Sequence, residues 1–391
     1  MSKSGLTIGL YVLLVIAAPL AGAYFAGHPL WSYLEFPPKS PPRSGMAPFS
    51  WLVFIVAAGL IALCIAPFVV RIAKAGRSHA LTQSSAPQRF PSFGWIGCAL
   101  TIGAWILAWN RFEWFRHFQE FTFTPLWIGY ILTVNALCYR RSGRCLLLDR
   151  PGFLLVLFPL SALFWWSFEY LNGFVGNWRY LGISEPSPWA YAVNSTLAFS
   201  TVLPAIASTV EFLETFPRLY QGLDCFHRPW PSARQVLGGI GFVAGVLGLA
   251  LIGMFPGQLY PVIWLAPIFI ISGLQTRIWN RSLLSTALAT GDWRKPWLYA
   301  LAGLVCGFYW ELWNYLSLAH WEYQIAYVGR FKLFEMPILG YSGYLPFGIL
   351  CAAFADCLNS ETLSTTAKNR YDGSFDHPDS KGFSCKSHPA K

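Results

Sequence analysis

The sequence predicts an all-α fold, a polytopic transmembrane helix bundle of about ten spans with both termini on the inner side. Three observations predict it. Only 12% of the 391 residues are charged and 55% are hydrophobic, whereas a soluble domain carries about 25% charged residues. Ten low-charge stretches reach the roughly 20 residues that cross a bilayer: 5–27, 49–71, 93–111, 122–139, 152–173, 188–213, 236–255, 258–276, 297–317 and 341–358. With an inner N-terminus, 21 of the 28 Lys and Arg fall in inner segments, and only Lys39, Arg43, Arg111, Arg116, Arg179, Arg330 and Lys332 fall outside. This is the positive-inside asymmetry. The net charge of +10 therefore reads as topology. Nucleic-acid binding is the poorer account, because no soluble domain is present to carry a basic face.

The elements follow in order. Lys3 and the pattern Ala21-Gly22-Ala23 permit a signal peptide, but the apolar run is long for one and reads as a retained helix. The first outer loop is proline-rich and extended. Prolines within spans are tolerable where neighbouring helices satisfy the freed carbonyls, and Pro261 with Pro267 predicts a kinked eighth helix. Gly241 and Gly245 in the seventh span, and Gly303 and Gly307 in the ninth, let backbones approach. They predict interior places for both helices. None of the nine cysteines lies in an outer loop, so no disulfide framework is expected. Residues 1–358 read as one bundle, and the polar, aperiodic tail 359–391 reads as disordered.

An internal parallel repeat links segments 149–213 and 292–358. Pro151 precedes Trp165, and Pro296 precedes Trp310, by the same interval. Tyr170 and Tyr315 keep that offset of 145, each copy continues into W-x-Y, and each next helix carries Leu-Pro.

The repeat carries the candidate site. Glu169 and Glu311 fall near the outer ends of the fifth and ninth spans, each followed at i+3 by an asparagine, Asn172 and Asn314. That spacing shares one helix face, so the amides are expected to donate to the carboxylates. This pairing runs at an offset of 142. Ionisable residues inside a membrane point to function, which makes Glu311 and Glu169 the candidate acid/base pair. Trp310, Trp313, Trp165, Trp166 and Trp321, with the two asparagines, form the expected substrate-binding wall. Such a pocket can protonate an alkene and shelter a carbocation, or hold an isoprenoid, quinone, sterol or lipid tail. Aromatic belts at headgroup depth are the competing account for most of the tryptophans at outer helix ends, those of this wall included. Glu211 and Asp356 mark possible ends of a proton path. Segment 328–347 reads as a structured re-entrant loop or a lid above the cluster, in which Arg330 and Lys332 could hold a phosphate-bearing headgroup. His28, His117 and His320 lack a metal-site spacing, so no metal is expected, and the cofactor is left open.

The succession LEFPP, PFSW, WILAWNRFEWF, TFTPLW, FWWSFEYLN and STVLPA resembles an uncharacterised family of bacterial polytopic membrane proteins. The resemblance implies an inner-membrane location and no particular activity. The EYLN and NWRYLG unit is fainter in its likeness to membrane carotenoid cyclases and hydratases, whose PExxLFF-type motif is absent here. Three functions remain open: an enzyme or binding protein for a lipid or isoprenoid at the outer leaflet, a proton-coupled small-molecule transporter, and a structural or assembly subunit.

Overall fold

A computed structural model describes residues 2–38, 47–76, 87–183, 187–228 and 233–362. The α-helices longer than four residues are α1 Lys3–Phe25, α2 Trp51–Gly76, α3 Ser92–Trp109, α4 Phe123–Ser142, α5 Pro151–Val175, α6 Pro188–Phe199, α7 Val202–Glu214, α8 Ala233–Met254, α9 Val262–Trp279, α10 Leu283–Thr290, α11 Arg294–Asn314 and α12 Tyr344–Thr362. The tail predicted as disordered lies outside the described residues from 363 onward.

Among the described residues, eight helical stretches are long and apolar enough to cross a membrane. A ninth follows if α4 and the turn Glu113–Phe121, bent by 71°, form one span. The chain is an integral membrane protein of all-α architecture. The predicted ninth span, α11, is helical but is not among the eight, because Trp, Tyr and Glu311 lower its apolarity. It does not need an apolar surface: Leu298, Cys306, Trp310, Glu311 and Trp313 are all buried, between α12 on one side and α7 on the other. Residues 188–214 break at Ser200–Thr201 into α6 and α7.

Close backbone contacts organise the bundle. A Cβ on Gly303 would stand 2.2 Å from the Tyr344 carbonyl oxygen, and one on Gly348 would stand 1.9 Å from that of Tyr299. This locks α11 to α12 through small residues. The seventh span differs from expectation. In α8, Gly241 and Gly245 pack on Phe269 and Ile270 of α9, but Val236, Ile240, Val243 and Leu247 are exposed. These two glycines make a close contact with α9, and Gly253 makes another with α1, where a Cβ would stand 2.1 Å from the Pro19 carbonyl oxygen, so the helix buries one face between two neighbours and exposes the other. Pro261 does not kink the eighth span. It caps the N-terminus of α9, and only Pro267 lies within, since a missing N–H costs nothing at a helix start.

α2 stands apart, with no buried residue along its length. At one end Ser50 donates its N–H to the Tyr327 carbonyl at 2.9 Å. At the other, Phe68 stacks on Trp297 at 5.0 Å and Arg71 donates to the Cys225 carbonyl at 2.8 Å.

Candidate functional site

Two short strands lie at the C-terminal ends of α5 and α11. β1 (Trp178–Leu181) runs antiparallel to β2 (His320–Tyr323), with Trp178 opposite Tyr323, Arg179 opposite Glu322 and Tyr180 opposite Trp321. Strand alternation puts Trp178, Tyr180, Trp321 and Tyr323 on one face. Arg179 and Glu322 share the other, paired at 2.7 Å.

The aromatic face seats on the two predicted carboxylates. Glu169 Oε1 accepts from Trp165 Nε1 at 3.0 Å, Trp178 Nε1 at 3.1 Å and the Tyr180 hydroxyl at 2.6 Å. Glu311 Oε1 accepts from the Tyr323 hydroxyl at 2.7 Å and the Tyr344 hydroxyl at 2.5 Å, while Trp321 Nε1 donates to Tyr323 at 2.9 Å. Burial pushes the Tyr180 and Tyr323 phenols well above their usual range, and the adjacent carboxylates push the same way. Both phenols therefore stay protonated and act as donors.

The asparagines act otherwise than the i+3 spacing predicts. Asn172 donates to the Trp178 carbonyl at 2.8 Å and accepts the Trp178 N–H at 3.2 Å. Asn314 does the same with Trp321, at 2.7 Å in each direction. The strand that follows each helix presents an unpaired N–H and C=O, and an amide matches both, whereas the carboxylates are already supplied by phenols and indoles.

The two sites differ in access. Glu311 is wholly buried, and its Oε2 has no hydrogen-bond partner among the described residues. Glu169 borders a cavity of about 30 Å³ lined also by Pro38, Asn172, Gly173, Trp178, Tyr180 and Tyr191, room for about one or two waters.

Of the predicted wall, Trp165 and Trp310 join the two sites. Their ring centroids are 6.5 Å apart, and Trp310 lies 5.9 Å from Tyr344 and 4.9 Å from Trp127. Trp313 turns to Trp127 at 5.1 Å and Tyr309 at 5.3 Å. Trp166 donates to Thr196 Oγ1 at 3.0 Å and packs on Phe199. Neither Trp313 nor Trp166 bonds a carboxylate, because each points from its helix toward a different neighbour. Sequence reasoning missed Tyr180, Tyr323, Tyr344 and Trp178 as functional side chains. The W-x-Y repeat marked three of them, and nothing local marked Tyr344.

The predicted lid contains β3 (Lys332–Leu333), β4 (Met336–Pro337) and a 3-10 turn, Ile338–Gly343. Its cations are otherwise engaged: Lys332 pairs with Glu335 at 3.1 Å, and Arg330 lies over the Phe49 ring at 4.6 Å. Among the described residues no three His, Cys, Asp or Glu are grouped to hold a metal. At the opposite end of the helices, Arg150 pairs with Glu211 at 2.6 Å and Lys295 with Asp356 at 3.5 Å.

Compared with protein families, with curated proteins and with solved structures, the chain matches none.

Proposed function

We propose that this membrane protein binds and processes a lipid- or isoprenoid-class molecule where the β1–β2 ribbon caps the bundle, with Glu311 giving a proton and Glu169 receiving one. One observation carries the reading. Glu311 concentrates both phenol donors on Oε1 and leaves Oε2, inside an aromatic enclosure, without a partner among the described residues. A carboxyl group held in this way presents its proton on Oε2. Transfer to an alkene carbon forms a C–H bond from the π pair and leaves a carbocation, which the faces of Trp310 and Trp165 favour. Loss of a proton from the neighbouring carbon to Glu169 restores a double bond. The outcome is isomerisation or cyclisation, and a proton returned from Glu169 to Glu311 through water closes the cycle with no oxidant or reductant.

A site for such a molecule takes roughly 300–1,000 Å³, far more than the 30 Å³ beside Glu169, so the ribbon must open. β1 is bracketed by Gly176 and Gly182, both left-handed at φ 61° and 68°, a conformation glycine adopts without strain. The matching bonds of Glu169, Asn172 and Tyr180 with those of Glu311, Asn314 and Tyr323 support a parallel duplication. The basic-residue asymmetry supports ten spans, an outward ribbon and a bacterial inner-membrane location.

The test is mass spectrometry of small molecules retained by protein purified in mild detergent, wild type beside Glu311→Gln. The expected result is a specific isoprenoid, quinone or lipid retained differently by the two. Identical bulk phospholipid in both overturns the reading and favours a structural subunit. A second reading, proton-coupled transport, draws on buried polar groups midway along the helices. Tyr130 meets Thr209 Oγ1 at 2.9 Å, Thr209 meets Cys306 Sγ at 3.4 Å, and Asn135 donates to Ser208 at 2.9 Å, one turn from Glu211. Proton flux in proteoliposomes that falls in Tyr130→Phe is the result that would favour it.

A further inference from the structure

An open groove of about 400 Å³ lies beside the ribbon. Its walls include Glu322, Tyr323 and Gln324 from β2 and its extension, with Gly329, Lys332 and Pro337 from the following hairpin. The walls are fixed from several sides. Gln324 donates its N–H to the Asn177 carbonyl at 2.7 Å, Ile338 donates to Phe331 at 3.0 Å, and Ser50 donates to Tyr327 at 2.9 Å. The Tyr260 hydroxyl holds the Ala326 carbonyl at 3.1 Å. The segment also keeps Tyr327, Phe331 and Phe334 in left-handed backbone, at φ 62°, 57° and 56°, a conformation that non-glycine residues adopt only when the surroundings impose it. The space is therefore built into the fold and is not slack in a loose loop.

Its charge decides what fits. The groove offers one ammonium, Lys332, and one carboxylate, Glu322. Each already has a counter-ion, Glu335 for Lys332 and Arg179 for Glu322, so the charges cancel. A diphosphate or other strongly anionic head would gain Lys332 but meet the repulsion of the Glu322 carboxylate on the facing wall. A molecule carrying both signs matches both groups. A primary ammonium adds three N–H donors for carboxylate oxygens, which a quaternary ammonium lacks. The groove follows the C-terminal end of α11, beside exposed Phe331 and Leu333, a composition suited to the membrane–water boundary.

We infer that this groove binds a zwitterionic phospholipid head of the phosphoethanolamine class, its ammonium against Glu322 and its phosphate against Lys332. The inference shares with the proposed function only the premise that lipid occupies this end of the bundle. Because the Tyr323 wall also donates to Glu311, an occupied groove fixes the ribbon strand that covers that carboxylate.

The experiment is native mass spectrometry of the full chain in micelles containing equal phosphatidylethanolamine, phosphatidylglycerol and phosphatidylcholine. The expected result is phosphatidylethanolamine retained about tenfold over the other two, the ratio that one well-placed charged contact supplies. Lys332→Gln, at a half-exposed position, removes the preference. Glu335→Gln frees Lys332 for the phosphate and strengthens retention, so the two variants move in opposite directions without touching the core. Equal retention of the three lipids, preference for phosphatidylglycerol, or indifference to both variants overturns the inference. None of these outcomes bears on Glu311, whose role is read from the retained small molecule in Glu311→Gln.

Discussion

Gly307 and Tyr344 occupy one space: a Cβ on Gly307 would stand 2.3 Å from the Tyr344 ring, and that ring carries a hydroxyl onto Glu311. Four residues before Glu169 the chain has Trp165, whose indole donates to the carboxylate. Four residues before Glu311 it has Gly307, and a tyrosine from α12 fills the gap. Gly307→Ala is therefore expected to overpack this contact and cost about 1–3 kcal/mol. Gly9→Ala, where a Cβ meets nothing within 4 Å, is expected to be neutral or to stabilise by up to about 1 kcal/mol. Thermal unfolding in detergent checks both. Equal midpoints for the two variants would remove Gly307 from the account of the site.

Membrane-length apolar helices and the positions of the two acids were legible because charge scarcity and an isolated acid in apolar sequence are local signals. What bonds the acids was not. Tyr344 lies 33 residues after Glu311 and reaches it only because α12 folds back along α11. Asn172 and Asn314 share a helix face with their glutamates, as the spacing predicts, but their amides turn to the strand that follows. The two offsets also resolve physically. The pairs Arg150–Glu211 and Lys295–Asp356 match at 145, while the glutamates match at 142. Glu169 therefore lies about one helical turn farther from its ion pair than Glu311 does, on the side where the small cavity opens.

Asn172→Ala and Asn314→Ala test the clamp on the ribbon. Each strips two hydrogen bonds from one strand and leaves a backbone N–H and C=O to find other partners. The expected cost is about 1–3 kcal/mol, with faster hydrogen exchange at the Trp178 or Trp321 amide in the corresponding variant. An unchanged exchange rate would mean that the strands hold one another without the asparagines.

The two phenols predict an alkaline weakness. Tyr180 and Tyr323 are held above the ordinary tyrosine value of about 10 by burial and by the neighbouring carboxylates. The unfolded chain then releases these protons first as pH rises. The stabilisation is complete below about pH 10 and is lost as pH climbs from there toward the folded values. The double variant Tyr180→Phe, Tyr323→Phe is expected to show a shallower fall in unfolding midpoint over that range, although it starts lower because it lacks both bonds. Parallel curves for the two proteins would contradict the assignment.

The orientation is checked with single cysteines placed in a chain whose nine native cysteines are replaced by serine or alanine. Lys332→Cys, beside the ribbon, is expected to react with a membrane-impermeant thiol reagent in intact cells. Arg144→Cys, whose parent side chain is 69% exposed near the Arg150–Glu211 end, is expected to react only after the membrane is opened. The reverse pattern would invert the bundle and place the candidate site on the inner face.

Replacing each glutamate by glutamine separates the two sites. A glutamine oxygen can accept every bond that Oε1 accepts now, so the difference lies in the new NH₂ group. At position 169 that group has a cavity of about 30 Å³ beside it, enough for a water to accept its hydrogens. At position 311 it replaces an oxygen that is buried without a partner among the described residues, and two donors in that place cost about 1–3 kcal/mol. Glu311→Gln is therefore expected to unfold at lower temperature than Glu169→Gln, with both still folded. If Glu169→Gln proves the more costly, its carboxylate is needed as a charge by the three donors around it. The sealed and hydrated roles assigned to the two acids would then have to be exchanged.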